Sequence, residues 1–289
     1  MLLFSALVAG SFSLGTMVAN DIAPAALTAA RFLIATLAIG ALAVFAGKPT
    51  RGAFAAPWRY FVLGGLFGLY FVMMFEGLKT AEAVSASAVF TLTPVMAAGF
   101  GWLLLRQRTT ARMALALALG AAGALWVIFR ADLAALLRFE IGRGEAIYFW
   151  GCLAHAAYTP MVRKLNRGES PVVFSLGTTI AALVLVAAYG WRENAATDWA
   201  ALSAFVWVVI LYLALFTSAA TFLLLQYATL RLPSAKVMAY TYLTPSWVIL
   251  WDIALGRPLP QALVAAGAAL TVLALVLLLK DETAEKARA

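Results

Sequence analysis

Tyr148, Gly151, His155 and Tyr158 fall at spacings of three, four and three, which places them on one face of a helix. His155 is the only histidine in the chain and lies near the middle of an apolar run. Two phenols and an imidazole on one face can hydrogen-bond a small polar solute or a neighbouring helix; both readings stand. A proton relay through His155 would need a carboxylate at its depth, and the flanking runs supply none. Pro160 follows and should bend the helix. A second face carries Lys236, Tyr240, Thr244 and Trp247, with Pro245 interrupting its hydrogen-bond ladder. Lys236 lies near the end of its run, where snorkelling alone accounts for it. Tyr240 and Trp247 combine apolar area with a polar handle. Phe67, Tyr70 and Met74 share a third face, and Ser87, Thr91 and Pro94 a fourth. Each of these either lines a cavity or packs, and Ser and Thr readily satisfy carbonyls of their own helix.

Other chemistries find little support. There is no Gly-rich phosphate loop, no Ser-His-Asp set, no pair of catalytic carboxylates and no metal-ligand spacing. Cys152, the only cysteine, sits three residues from His155 and makes a poor nucleophile–base pair. No enzymatic activity, cofactor or metal is expected.

These faces need a solvent in which to fold. Hydrophobic residues make up 64% of the 289 positions and charged residues 12%, against about 25% charged in a soluble domain. A chain this apolar must use lipid. Runs long enough to cross about 30 Å of hydrocarbon fall near 2–20, 24–46, 58–78, 83–105, 110–130, 144–164, 171–191, 200–229, 233–255 and 259–280. The first lacks a basic leader and a cleavage site, so it reads as a retained helix rather than a signal peptide. The breaks are short and turn-like, among them Gly47-Lys48-Pro49 and Gly168-Glu169-Ser170-Pro171.

With the N-terminus in the cytoplasm, the inner loops and tail carry most of the basic residues, including Lys48, Arg51, Arg59, Arg106, Arg108, Arg163, Lys164, Arg231 and Arg288. The outer loops hold Lys79, Arg130, Arg138, Arg143, Arg192 and Arg257, together with most loop carboxylates. The net charge of +8 is thus a topology signal, and no nucleic-acid partner is implied. The expectation is a multi-pass protein of the inner (cell) membrane with both termini cytoplasmic and the lipid bilayer as its surroundings. Gly64-x-x-x-Gly68 reads as close helix contact rather than a dimer face, and a monomer is expected.

Shifting the chain by 151 residues lays Leu92-Thr93-Pro94 on Leu243-Thr244-Pro245, Ala88 on Ala239 and Arg106 on Arg257. The same shift lays Phe67, Tyr70 and Met74 on Ser218, Thr221 and Leu225, which adds Thr221 to the candidate cavity wall. Five spans per half put the second half in the membrane upside down. The expected fold is therefore an all-α polytopic membrane protein of ten transmembrane helices in two inverted five-helix repeats, 1–141 and 142–280, followed by a cytoplasmic tail over 281–289. Inverted repeats place a binding site near the bilayer midplane between the halves.

The chain resembles the EamA type of the drug/metabolite transporter superfamily. The likeness is carried by Ala30-Arg31-Phe32 within Leu27–Ala41, by Glu76–Thr110 and Tyr227–Pro260 with their Leu-Thr-Pro motifs, and by Arg163-Lys164-Leu165. Within the superfamily it is most similar to the YddG-type amino-acid exporters. It departs from the family where Leu105-Arg106-Gln107 and Leu255-Gly256-Arg257 replace Leu-Gly-Glu. Ala9-Gly10 and His155-Ala156 stand where a Trp and a small residue are usual, which should widen the central cavity.

The resemblance implies an amino-acid exporter or facilitator with broad specificity, including aromatic and neutral substrates such as Thr and Met. Alternating access would rock the halves about Pro94, Pro160 and Pro245. The expected cavity wall is Tyr70, Met74, Ser87, Thr91, Tyr148, His155, Tyr158, Thr221, Tyr240, Thr244 and Trp247. The alternative is export of other small metabolites or drugs; cationic drugs would call for a carboxylate near midplane. A membrane-embedded enzyme or a structural lipid-binding protein is the rival from another class. Arg31 and Glu76 lie toward the outer side: an ion pair of Arg31 with Glu76 or Asp21 would close an outer gate, but solvated interfacial charges are the favoured reading.

Overall fold

The computed structural model describes residues 1–47, 51–138, 140–258 and 260–286. Among them ten helical segments follow in chain order: α1 Leu2–Val18, α2 Pro24–Leu42, α3 Trp58–Leu78, α4 Ala83–Leu105, α5 Ala111–Ile128, α6 Arg143–Leu165, α7 Pro171–Tyr189, α8 Ala204–Thr229, α9 over 234–254, and α10 Ala262–Lys286. No strand occurs among the described residues. Local chemistry sets the starts. Pro24 and Pro171 occupy first turns, where a missing N–H costs nothing. Thr110, Ser170 and Ser203 accept from backbone N–H groups three residues on, capping α5, α7 and α8. Lys48, Pro49 and Arg288 lie outside the described residues.

Seven of these helices are long and apolar enough to cross a membrane. The others have identifiable reasons for falling short: α1 is apolar but has 17 residues, α6 carries charged residues at both ends, and α9 is broken into pieces. Leu37, Phe45, Leu115 and Trp150 point outward, on a surface that only lipid would cover. The chain is an all-helical, multi-pass membrane protein. Two short helices, Leu133–Arg138 and Trp191–Ala196, add to the connections.

The two Leu-Thr-Pro motifs break their helices at equivalent places. α4 is interrupted at Thr91–Leu92, between Ala83–Phe90 and Thr93–Leu105. α9 passes from Ser234–Ala239 through the 3-10 turn Tyr240–Leu243 to Thr244–Ala254. Proline is the cause, because it leaves the carbonyl four residues back without its N–H. Phe90 O is rescued by the Thr93 hydroxyl at 2.7 Å, and Thr241 O by the Thr244 N–H. The breaks meet across the molecule, with Thr93 Oγ1 3.4 Å from Thr241 Oγ1. Pro160, in contrast, lies inside the unbroken α6.

The main helix pairings join one half of the chain to the other: α3 with α6 and α7, α5 with α10, α2 with α7, α4 with α6 and α9, and α1 with α9. The halves therefore interlock, and the molecular centre belongs to both. α5 and α10 pack together where Gly123 meets the Gly267 carbonyl. Elsewhere between the halves, a clamp ties α3 to the α6–α7 connection. Arg59 donates to Glu169 Oε1 at 2.6 Å, to Leu165 O at 2.7 Å, and to Ala53 O and Ala56 O, each at 3.3 Å. Sequence counting treats Arg59 as a loop charge; the fold buries it.

Candidate substrate cavity and vestibule

Contributions from α1, α3, α4, α6 and α8 converge on a central cavity. Its wall is Phe4, Val8 and Ser11; Phe67, Tyr70 and Phe71; Phe90; His155; and Thr217, Thr221, Phe222 and Leu225. The space is about 10 Å³, roughly what one water requires. The sequence departures pointed to a widened cavity, but the structure holds a closed one. Where Ala9-Gly10 lacks a large side chain, the ring of Tyr212 lies against Gly10, and its hydroxyl donates to Leu7 O at 2.9 Å.

His155 sits inside an aromatic stack. Its ring lies 4.4 Å from that of Tyr70 and 5.5 Å from that of Phe90, nearly parallel to the latter at 6°. Nδ1 is buried without a hydrogen-bond partner. Phe67 packs on Phe71 and Phe222 at 4.8 and 4.3 Å, extending the cluster. No carboxylate and no Lys or Arg is among the residues that form the wall.

The expected wall residues separate into groups. Tyr70, His155 and Thr221 face the cavity. Tyr148 and Tyr158 stand one layer behind: Tyr148 donates to the Tyr70 hydroxyl at 3.0 Å, and Tyr158 accepts from Gln226 at 2.8 Å. Met74 is buried in the main core. Ser87 and Thr91 bond to Val84 O and Ala88 O of their own helix. Tyr240 packs with the α5–α10 cluster. Thr244 and Trp247, on α9, keep buried polar atoms without partners. Sequence reasoning passed over Phe4, Phe71 and Phe222, although Phe71 falls on Phe222, and Phe4 on His155, at the repeat shift.

Beyond the cavity, toward the end carrying the expected outer loops, lies a vestibule of about 660 Å³. Its wall includes Thr16 of α1, Asn20 just after it, residues 78–85, Val127, Arg130, Asp252, Arg257 and Gln261. Arg257 spans the junction: it bonds Asp252 at 3.3 Å, Ser13 O at 3.3 Å and Thr16 Oγ1 at 3.1 Å. The repeat-related end of α4 is closed differently, by Gln107 accepting from the Ser234 N–H at 3.1 Å. Because Arg257, in the vestibule wall, holds α9 against α1, Arg257→Ala should loosen that contact. In a Cys152→Ala background, a cysteine placed at Ser11 should then react several-fold faster with an impermeant maleimide; an unchanged rate would remove the latch role.

The expected partners of Arg31 are corrected. Glu76 pairs with Lys79 at 2.7 Å. Arg31 is fully buried rather than solvated at the interface. It donates to Ser218 Oγ at 2.9 Å, to Thr217 Oγ1 at 2.8 Å, and to Thr217 O and Leu213 O at 3.2 and 3.3 Å. Ser218 and Thr217 belong to the π-helical turn Leu215–Ala220 of α8, and Leu213 lies two residues before it. Such a turn leaves carbonyls without helical donors.

A profile of the EamA-like transporter family matches residues 1–129 and again 142–280. The chain is 23% identical over 277 residues to the "Uncharacterized transporter YyaM" of Bacillus subtilis (strain 168), covering 93% of this chain and 89% of that protein. A solved structure described as "Crystal structure of protein" shares the fold, with a TM-score of 0.73 at 21% identity over 96% of this chain and 94% of that one. With the family profile covering both halves of an all-helical membrane fold, the chain belongs to the EamA-like transporter family, within the drug/metabolite transporter superfamily.

Proposed function

We propose that this transporter exports amino acids across the inner membrane by alternating access, with both termini in the cytoplasm. The observation that carries the reading is the central wall: aromatic rings, one imidazole and the hydroxyls of Ser11, Thr217 and Thr221, without a fixed charge. A zwitterion with an apolar, aromatic or small hydroxyl side chain suits that wall. A cationic drug would gain from a carboxylate there, and a phosphorylated metabolite from a cluster of Lys and Arg. The 10 Å³ cavity must expand to admit an amino acid. The breaks at Leu92-Thr93-Pro94 and Leu243-Thr244-Pro245 are the places where α4 and α9 can bend as the halves move against one another. The inverted relation of the repeats would give the two access states similar geometry.

Counterflow of radiolabelled amino acids in proteoliposomes tests the reading. Exchange of Thr, Met and Phe is expected without an imposed pH gradient, because no carboxylate shares the cavity with His155. Exchange of cationic drugs but no amino acid, by folded protein, would favour the alternative of drug export. Exchange only under a proton gradient would overturn the facilitator mechanism and leave the substrate assignment standing.

A further inference from the structure

We propose that Arg31 is the carboxylate anchor of the transported substrate, reached from the central cavity when Phe71 moves off its guanidinium. The inference rests on the amino-acid reading above and deepens it by naming the group that reads the carboxylate. Arg31 lies in the first half of α2 and has no exposure. All of its hydrogen-bond partners are neutral, and among the described residues no carboxylate lies within ion-pair distance of it. A permanent cation placed in a membrane interior without an anion is costly, and such residues mark substrate pathways by default.

Its hydrogen bonds are divided unevenly. Nε and Nη2 hold the π turn of α8, through Ser218, Thr217 and Leu213. Nη1 is buried with no partner. Pinning the turn accounts for the first two nitrogens and not for the third. Nη1 offers two N–H donors, which a carboxylate accepts in strong, charge-assisted bonds. The Arg31 Cζ lies 3.8 Å from the centroid of the Phe71 ring, and Phe71 forms part of the cavity wall. Thr217 joins the same two regions: its hydroxyl accepts from Arg31 at 2.8 Å, and it too faces the cavity. One aromatic side chain therefore separates the guanidinium from the substrate space. A substrate carboxylate that displaces the Phe71 ring supplies the missing counter-charge. The α-ammonium then falls among the rings of Tyr70, Phe90 and Phe222, whose faces attract cations.

Three probes dissect the claim in wild-type proteoliposomes: phenylalanine, phenethylamine, which lacks the carboxylate, and 3-phenylpropionate, which lacks the ammonium. Each is tested as a competitor of labelled amino-acid exchange and as a thermal stabiliser of the purified protein. Phenethylamine is expected to act roughly 10- to 100-fold more weakly than phenylalanine, the loss of a charged hydrogen-bonded contact. Arg31→Gln should weaken phenylalanine toward the level of the amine and leave the amine unchanged. Equal potency of amine and amino acid in the wild type overturns the anchor, and that result needs no folded variant. Arg31→Gln that keeps full discrimination while melting earlier also overturns it, leaving only the pinning of the π turn. If amino acids are not exchanged but 3-phenylpropionate stabilises the wild type and not Arg31→Gln, the anchor stands and the amino-acid reading falls. If no carboxylate binds, both fall.

Discussion

Arg59→Ala is expected to destabilise the protein by about 3–5 kcal/mol, the range for removing one partner of a buried ion pair. The side chains of Arg59 and Glu169 are 2% and 7% exposed, so the carboxylate left behind loses its main partner in a site that water reaches only in part. The guanidinium also gathers carbonyls from both sides of the interface, Ala53 and Ala56 before or at the start of α3 and Leu165 at the end of α6. Lysine cannot reproduce this fork, so Arg59→Lys should fall between wild type and alanine. Unfolding in detergent, followed by loss of the monodisperse peak on heating, measures the series. An Arg59→Ala protein as stable as wild type would show that the clamp contributes nothing.

The same clamp has a pH signature. Burial works against ionisation of Glu169, but the hydrogen bonds from Arg59 and from the Arg167 backbone outweigh it and hold the carboxyl below its usual range. A carboxyl with a lowered folded-state pKa stabilises the fold fully above the unfolded value, about 4.3 for Glu. That contribution is lost as pH falls through the lowered value. The stability gap between wild type and Glu169→Gln should therefore be constant near neutrality and close in acid. A gap that widened in acid would contradict the sign.

The fold was legible because the bilayer leaves so little freedom. Every backbone group must be satisfied within a helix, so apolar length and turn residues announce each span. The helix breaks at Pro94 and Pro245 could be read as well, since proline removes a specific hydrogen bond, although Pro160 leaves α6 unbroken. The candidate site was less legible. Face periodicity led to Tyr70 and His155, and the repeat shift to Thr221, all of which border the cavity. Phe71 and Phe222 passed unnoticed because phenylalanine in an apolar chain is ordinary packing, although their identity across the repeat was the available signal. Arg31 was misplaced for a deeper reason. Its partners are the hydroxyls of Ser218 and Thr217 and the carbonyls of Thr217 and Leu213, gathered by a π turn, and neither that turn nor a carbonyl acceptor has a side-chain signature. Pairing charges by sequence offered Glu76 and Asp21 instead.

Gly64→Ala is expected to cost about 2–3 kcal/mol, toward the upper part of the range for overpacking a tight contact, whereas Gly65→Ala beside it should be neutral or slightly stabilising. The contrast comes from what each new methyl group meets. At Gly64 a Cβ would lie 2.6 Å from the backbone N of Ala182 and 2.9 Å from the backbone C of Ala181, on α7. Those atoms cannot turn aside as a side chain would, so α3 and α7 must separate. At Gly65 the nearest atom is the end of Leu185, at an ordinary 3.5 Å, and alanine gains up to about 1 kcal/mol of helix propensity over glycine. Gly68 repeats the close approach one turn on, where a Cβ would come 2.7 Å from Val186. The Gly64-x-x-x-Gly68 face is thus consumed inside the chain, between a helix of the first half and one of the second. Gly64→Leu should then prevent recovery of folded protein altogether. Parallel melting curves of Gly64→Ala and Gly65→Ala decide the matter: equal effects at the two positions would mean that α3 and α7 are not held at this distance, and the interlocking of the halves would lose one of its contacts.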